Sequence, residues 1–239
     1  LLNIYIKVVQ MNLVNKHVLV VGSSNSVGNS LVQRFRSEGW RVSHSSRDTI
    51  SDEDHYFLDI SSDENILAFC ENIKAGPRID AMSLLCGVLG GKSLEEKSYL
   101  EIDVDFEINA ISQIKIVKNL LNHFSEDGRV IFLNSISAFN GSYDVTYAAS
   151  KAAIIGFIKS MAKHGPKTIR FNAIASGLIE DSSMASQFST EDLDRHKFET
   201  PTGMLNESEK LADIMFDICG SSWMNMNGQV IHVNGGRYV

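Results

Sequence analysis

Proline is scarce in this chain. Three prolines in 239 residues are too few for a proline-rich linker. Cysteine is as rare, with only Cys70, Cys86 and Cys219. An odd count without a CxxC pair suggests neither a disulfide framework nor a thiolate zinc site. The seven histidines include no HExxH pattern, and no metal site is expected. Basic residues are outnumbered, 22 Lys plus Arg against 29 Asp plus Glu, for a formal charge of −7. Without a basic block, the chain is a poor candidate for nucleic-acid binding. A membrane span is not expected either. The apolar stretch LLNIYIKVVQ at 1–10 is short, carries Lys7 and lacks a small-residue cleavage site. It is expected to be a leader or cloning-derived extension before Met11, the alternative being an extra strand or an interface arm. These absences point to a cytoplasmic protein.

What is present is ordinary globular material, 44% hydrophobic and 21% charged. The length suits one α/β domain with a sizeable core. Short β-branched runs alternate with helical patterns. Strands are expected at 17–21, 40–45, 55–59, 80–86, 129–134, 168–175 and 229–233. Helices are expected at about 27–38, 62–73, 103–124, 145–164 and 207–219. Residues 178–206 are polar, with weak helical segments at 183–195, and are expected to include a lid. This alternation predicts a doubly wound parallel sheet of about seven strands with helices on both faces. Ligands in such sheets bind beyond the carboxyl ends of the strands. The informative residues should therefore follow Val21, Ser45, Leu58, Cys86, Asn134 and Ala175.

After the first strand comes Gly22-Ser-Ser-Asn-Ser-Val-Gly28. Gly22 permits a tight turn, and Gly28 lets the helix pack closely on the strand. The amides at the helix start, with Ser26 and Val27, are suited to a pyrophosphate, and Ser23, Ser24 and Ser26 add hydroxyls. A glycine pair after a strand is also common turn chemistry, so this motif alone decides little. After the second strand, Arg47 suits a 2′-phosphate, as in NADP. Asp48 beside it suits a ribose 2′-hydroxyl, which keeps NAD open. A solvated loop charge is the plain alternative for Arg47.

Tyr147 and Lys151 are four residues apart on one expected helix, so phenol and ammonium project together. A nearby cation favours phenolate and brings a tyrosine closer to proton exchange with a carbonyl oxygen. An isolated pair at this spacing is more often a surface contact. Ser135 changes that weighting, because it directly follows the fifth strand and carries a hydroxyl for the same substrate oxygen. Asn109 lies among Ile108, Ala110 and Ile111, where a polar side chain needs a reason. Bonding to backbone or water is its plain alternative.

In this order the pieces resemble the short-chain dehydrogenase/reductase family. The resemblance runs from about Met11 to Val239. It rests on Asn134-Ser135, Tyr147-Ala-Ala-Ser-Lys151, Arg170-Phe-Asn172-Ala-Ile-Ala-Ser-Gly177 and the ending Gly228-Gln-Val-Ile-His-Val-Asn-Gly235-Gly236. It implies a Rossmann-type domain, a nicotinamide dinucleotide and a carbonyl or alcohol substrate. By resemblance, Tyr147 is the acid/base and Ser135 orients the substrate oxygen. Lys151 holds the nicotinamide ribose and acidifies Tyr147, and Asn109 supports a relay water. Gly22 and Gly28 belong to the coenzyme loop, Asp59 matches the adenine contact, Gly87 follows the fourth strand, and Ile179 stands at the carboxamide contact.

The departures are specific. Ser26 replaces the middle glycine of the family loop. Leu84-Leu85-Cys86-Gly87 replaces Asn-Asn-Ala-Gly and so lacks bracing polar side chains. Ser176 replaces a proline, and the Ser135–Tyr147 spacing is about one residue short. The expected activity is hydride transfer with NADP, NAD not excluded. The alternative is a dinucleotide-binding sensor without turnover. The family resemblance also implies a homo-oligomer, a tetramer or dimer, with Ile111, Ile114, Phe157 and Ile158 as apolar helix positions compatible with an interface.

Overall fold

The computed structural model describes residues 16–48 and 50–239, so the expected extension at 1–10 lies outside them. Strand β1 (His17–Val21) is buried along its whole length. Its side chains alternate between two cores. Val18 and Val20 face one, and Leu19 and Val21 face the other. A strand apolar on both faces belongs in the middle of a parallel sheet covered by helices on both sides.

The sheet adds β2 (Arg41–Ser46), β3 (His55–Phe57), β4 (Ile79–Leu84), β5 (Phe124–Ser135), β6 (Ile169–Ser176) and β7 (Val230–Val233). Its order is β3-β2-β1-β4-β5-β6-β7, with every pair parallel. The chain reverses direction across the sheet between β1 and β4. In such sheets the crevice at that switch point is where ligands bind.

The helices on one face are α1 (Ser26–Ser37) and α8 (Ser208–Ile218), which contribute Leu31, Phe35, Leu211 and Met215 to the first core. The other core receives Ile66 and Phe69 from α2 (Asp63–Lys74), Ile116 from α4 (Ser112–Leu120) and Ile154 from α6 (Val145–His164). Between α2 and α4 lies α3 (Tyr99–Phe106). The short helices α5 (Ser137–Asn140) and α7 (Thr190–Phe198) flank the site described below. No helix among the described residues is long and apolar enough to cross a membrane.

Three differences from the sequence reading have local causes. The helix expected from 103 begins at Tyr99, because Ser98 and Glu101 form a reciprocal capping box. It is then interrupted by a π-helical turn, Glu107–Ile111. Strand β5 starts at Phe124 rather than Arg129, because Phe124 pairs with Ile79 ahead of a register shift in the ladder. Ile158 is fully buried, and Ile114 and Phe157 pack against the core, so of the four expected interface positions only Ile111 is exposed. The period-3.6 pattern placed them on a helix without saying which face met the sheet.

Candidate active site

The turn after β1 is built by hydrogen bonds that only this backbone path allows. Gly22 has φ +93°, a conformation that favours glycine. The Gly22 and Ser23 amides both donate to the Ser45 carbonyl, at 3.0 and 2.9 Å. A Cβ on Gly28 would stand 2.4 Å from the Gly22 carbonyl oxygen, so only glycine permits this approach of helix to turn. Asn25 caps α1, its side-chain oxygen accepting from the Gly28 amide at 2.8 Å. The amino-terminal end of α1 therefore meets the β1–β4 crevice, with Ser26 and Val27 on the cavity wall. Gly22 and Gly28 shape the turn from beneath. Ser24 is exposed and Ser23 is buried, its hydroxyl held by His44 and the Ser45 carbonyl, so neither lines the cavity.

The missing asparagines after β4 are replaced by amides from elsewhere. Asn25 Nδ2 donates to the Gly22 carbonyl at 2.8 Å and to the Leu85 carbonyl at 3.1 Å. Gln113 Nε2 donates to the Cys86 carbonyl at 3.0 Å. Asn109 accepts from the Val88 amide at 2.8 Å and donates to the Val88 carbonyl at 3.0 Å. Its second amide hydrogen goes to Ser150 Oγ, at 3.1 Å. Both amide hydrogens and one lone pair of the Asn109 side chain are thus used to hold the β4 loop against α6. The π-helical turn carries Asn109 and leaves it fully buried. Such turns recur at functional sites. Asn25 and Gln113 were missed in the sequence. For Asn25 the signal was there, since an asparagine three residues before Gly28 is a helix cap.

Ser135, Tyr147 and Lys151 are brought together. Ser135 ends β5, Tyr147 and Lys151 stand on the first turns of α6, and all three line one cavity of about 500 Å³. Asn134 joins the two elements, donating to the Lys151 carbonyl at 3.0 Å while accepting from the Ser135 amide at 2.7 Å. Lys151 Nζ donates to the Leu133 carbonyl at 3.1 Å. That occupies one of three ammonium hydrogens and leaves the rest to face the cavity. Burial pushes the Lys151 pKa down to about 8, opposed by the Cys86 sulfur. Burial raises the Cys86 thiol to about 11, which leaves it an inert neutral group.

Tyr147 is 7% exposed. Burial raises its pKa, a hydrogen bond with Ser135 opposes that, and the Asp144 carboxylate raises it further. Burial thus outweighs the acidification expected from Lys151. At neutral pH the phenol carries its proton.

Further out, Arg47 is exposed at the end of β2, and Asp59 is half-buried after β3. Neither lines the main cavity. The Asp59 carboxylate is held below its ordinary range first by Ser61, whose hydroxyl and amide donate to it at 2.7 and 3.0 Å, and also by the charge of Arg47. Arg47 thus lies near the edge where β2 and β3 end. Gly87 and Ile179 do line the cavity. A Cβ on Gly87 would sit 3.3 Å from both Lys151 Nζ and Asn109 Oδ1, so glycine leaves room where those polar atoms converge. On the opposite wall, the expected lid contributes Met184, Phe188 and His196, while Phe198 and Met204 point outward at 90% and 66% exposure.

The residues fit a dinucleotide. The crevice is cradled by a helix amino terminus and Gly87 and lined by the cations Lys151 and Arg237, with no carboxylate among the described residues, although the chain is acidic.

The comparisons agree with this geometry. The family model described as enoyl-(acyl carrier protein) reductase matches residues 21–237. The 3-oxoacyl-(acyl-carrier-protein) reductase of Aquifex aeolicus is 27% identical over 96% of this chain and the whole of that protein. A glucose and ribitol dehydrogenase homologue of Arabidopsis thaliana is 28% identical over 76% of this chain and 64% of that protein. In fold, the chain superposes on a Brucella melitensis short-chain dehydrogenase/reductase with a TM-score of 0.87, at 22% identity, covering 94% of this chain and 97% of that one. The chain belongs to the short-chain dehydrogenase/reductase family and is an NAD(P)-dependent oxidoreductase.

Proposed function

We propose that this protein moves a hydride between NADP(H) and a carbonyl/secondary-alcohol pair, with Tyr147 exchanging the proton on the substrate oxygen. The observation that carries this reading is the convergence of Ser135, Tyr147 and Lys151 on one cavity that opens at the amino terminus of α1. When bound, the nicotinamide supplies the hydride in reduction and takes it in oxidation.

The chain supplies the rest. Ser135 donates a hydrogen bond that fixes the substrate oxygen. Tyr147, protonated at neutral pH, gives its phenolic proton to that oxygen in the reductive direction and recovers it in the oxidative one. Lys151 offers its free ammonium hydrogens to ribose hydroxyls and, once the site is closed from water, favours the phenolate as it forms. Ser26, Val27 and the amino-terminal end of α1 receive the pyrophosphate, while Gly87 and Ile179 bound the nicotinamide half. Asn109 acts by holding Val88 against Ser150.

Arg47 supports NADP over NAD. It is exposed, stands where β2 ends, and is near enough to Asp59 for its charge to be felt there. The apolar cavity wall of Leu89, Ile136, Met184 and Phe188 suits a substrate with an aliphatic portion. Exposed Leu100, Val104 and Ile111 on one helical stretch support a homo-oligomer, a dimer or tetramer. Three free cysteines accord with a reducing, cytoplasmic setting. The test is turnover of a carbonyl panel that includes 3-oxoacyl thioesters and aldoses, run separately with NADPH and NADH. Consumption of NADPH by a panel member supports the reading, and coenzyme binding without turnover of any member counts against it.

A further inference from the structure

Beneath Tyr147 lies a buried ion cluster that the chemistry above does not use. Lys97, Asp105 and Asp144 have side chains 1%, 5% and 1% exposed. Lys97 Nζ lies 2.8 Å from Asp144 Oδ1 and also donates to Asp105. The Thr146 hydroxyl donates to Asp105, and its oxygen lies 3.1 Å from Asp144 Oδ1. None of the three charged residues lines the cavity, so none of them meets substrate there.

Asp144 is the hub. Its Oδ1 caps α6 by accepting from the amide of Tyr147 itself at 3.2 Å. Its Oδ2 accepts from the Gly91 amide at 3.0 Å. A Cβ on Gly90 would stand 3.4 Å from Lys97 Nζ and 3.5 Å from Asp144 Oδ2, so that loop is pressed onto the cluster. Three segments meet here: the β4–α3 connection, which carries Gly87, Gly90, Gly91 and Lys97, helix α3 through Asp105, and the first turn of α6.

Burying three charges is a poor way to gain stability, because apolar residues of similar volume do as well or better. A buried ionic group is better suited to fixing one geometry among several. We propose that Asp144, clamped by Lys97 and Asp105, is a positioning residue that fixes the Tyr147 backbone relative to the Gly87 loop. This rests on the reading of Tyr147 as the acid/base. Of the charged groups around the phenol, Asp144 acts on it through its charge and Lys151 Nζ lies 5.9 Å from its ring centroid, while Lys97 and Asp105 connect to it through Asp144. The Asp144 charge also opposes ionisation of Tyr147.

The test compares Asp144→Ala with Asp144→Asn in the full chain. Asn keeps the capping oxygen and removes the charge. Turnover, coenzyme Kd by calorimetry and the titration of Tyr147 are measured, the last by NMR of ¹³Cζ-labelled tyrosine assigned with Tyr147→Phe. Asp144→Ala is expected to lower kcat by about 10- to 100-fold, the scale of a small misplacement of a reacting group. Its KM and coenzyme Kd should hold. Asp144→Asn is expected to recover most of that kcat and to titrate Tyr147 at lower pH than wild type.

Wild-type kcat in Asp144→Ala would overturn the proposal. So would an Asp144→Asn enzyme as slow as the Ala variant, or one whose Tyr147 titration has not moved. If Asp144→Ala fails to fold, the Asn variant carries the test, since it retains the cap. If Tyr147→Phe turns over normally, the acid/base reading fails instead, and the Asp144→Asn titration still decides whether the cluster governs the phenol.

Discussion

Lys151 Nζ lies 5.9 Å from the centroid of the Tyr147 ring, one helical turn away and on the wall of the same cavity. This proximity does not make the phenol acidic. Burial raises the Tyr147 pKa and lowers that of Lys151, so both groups are pushed toward their neutral forms. The site is therefore charged at a cost, and that cost can be measured.

Lys151 titrates near 8 in the folded protein, below its ordinary value of 10.5. Between those values the unfolded chain holds more protons than the folded one, so stability rises with pH across that window. Below pH 8 the full cost is present. Lys151→Met should remove it, stabilising the coenzyme-free protein at pH 7 by roughly 2–3 kcal/mol and raising Tm by about 4–10 °C. The same variant should lose turnover by at least about 100-fold. Thermal melts of both proteins from pH 7 to 10.5 check this. The gap between them should narrow as pH rises, and a constant gap would contradict the assignment.

Asn25 makes three hydrogen bonds, to the Gly28 amide and to the Gly22 and Leu85 carbonyls. Asn25→Ala should cost about 1–2 kcal/mol, a fall in Tm of roughly 2–8 °C. Because these bonds hold both walls of the crevice, coenzyme binding should weaken by about tenfold, equivalent to one lost interaction of 1.4 kcal/mol. Asn25→Asp keeps the cap but not the two donations, and should recover stability more than coenzyme affinity. Calorimetry and melting curves separate the two effects.

Arg47→Ala should raise the Kd for NADPH by about tenfold or more, the scale of a charge-assisted phosphate contact, and leave that for NADH nearly unchanged. Titration of each coenzyme into wild type and variant reads the preference directly. Equal losses for both coenzymes would move the specificity determinant away from Arg47.

The fold was legible in the sequence because its signals are local. The apolar run His17–Val21, the capped helix after Ser62 and the Val145–His164 helix all sit where composition and caps place them. The Ser135, Tyr147 and Lys151 constellation was legible for the same reason, since strand end and helix face fix its geometry. What stayed hidden depends on contacts distant in sequence. Nothing near Asn109 announces the π-helical turn, which matches that residue to Val88 and Ser150. Nothing near Leu85 or Cys86 shows that Asn25 and Gln113 supply the missing amides. The burial of Lys97 follows from the meeting of α3 and α6, which periodicity cannot register. The rise in the Tyr147 pKa was missed because spacing reveals a neighbouring cation but not the loss of water around both groups.

The most direct test of the account is single-turnover reduction of an active carbonyl substrate by Tyr147→Phe, with coenzyme Kd measured alongside. The substitution removes one oxygen from a buried ring and leaves the cavity otherwise intact. Hydride transfer should slow by roughly 100- to 10,000-fold with the coenzyme bound as tightly as before. A variant that binds coenzyme normally and reduces substrate at the wild-type rate would contradict it.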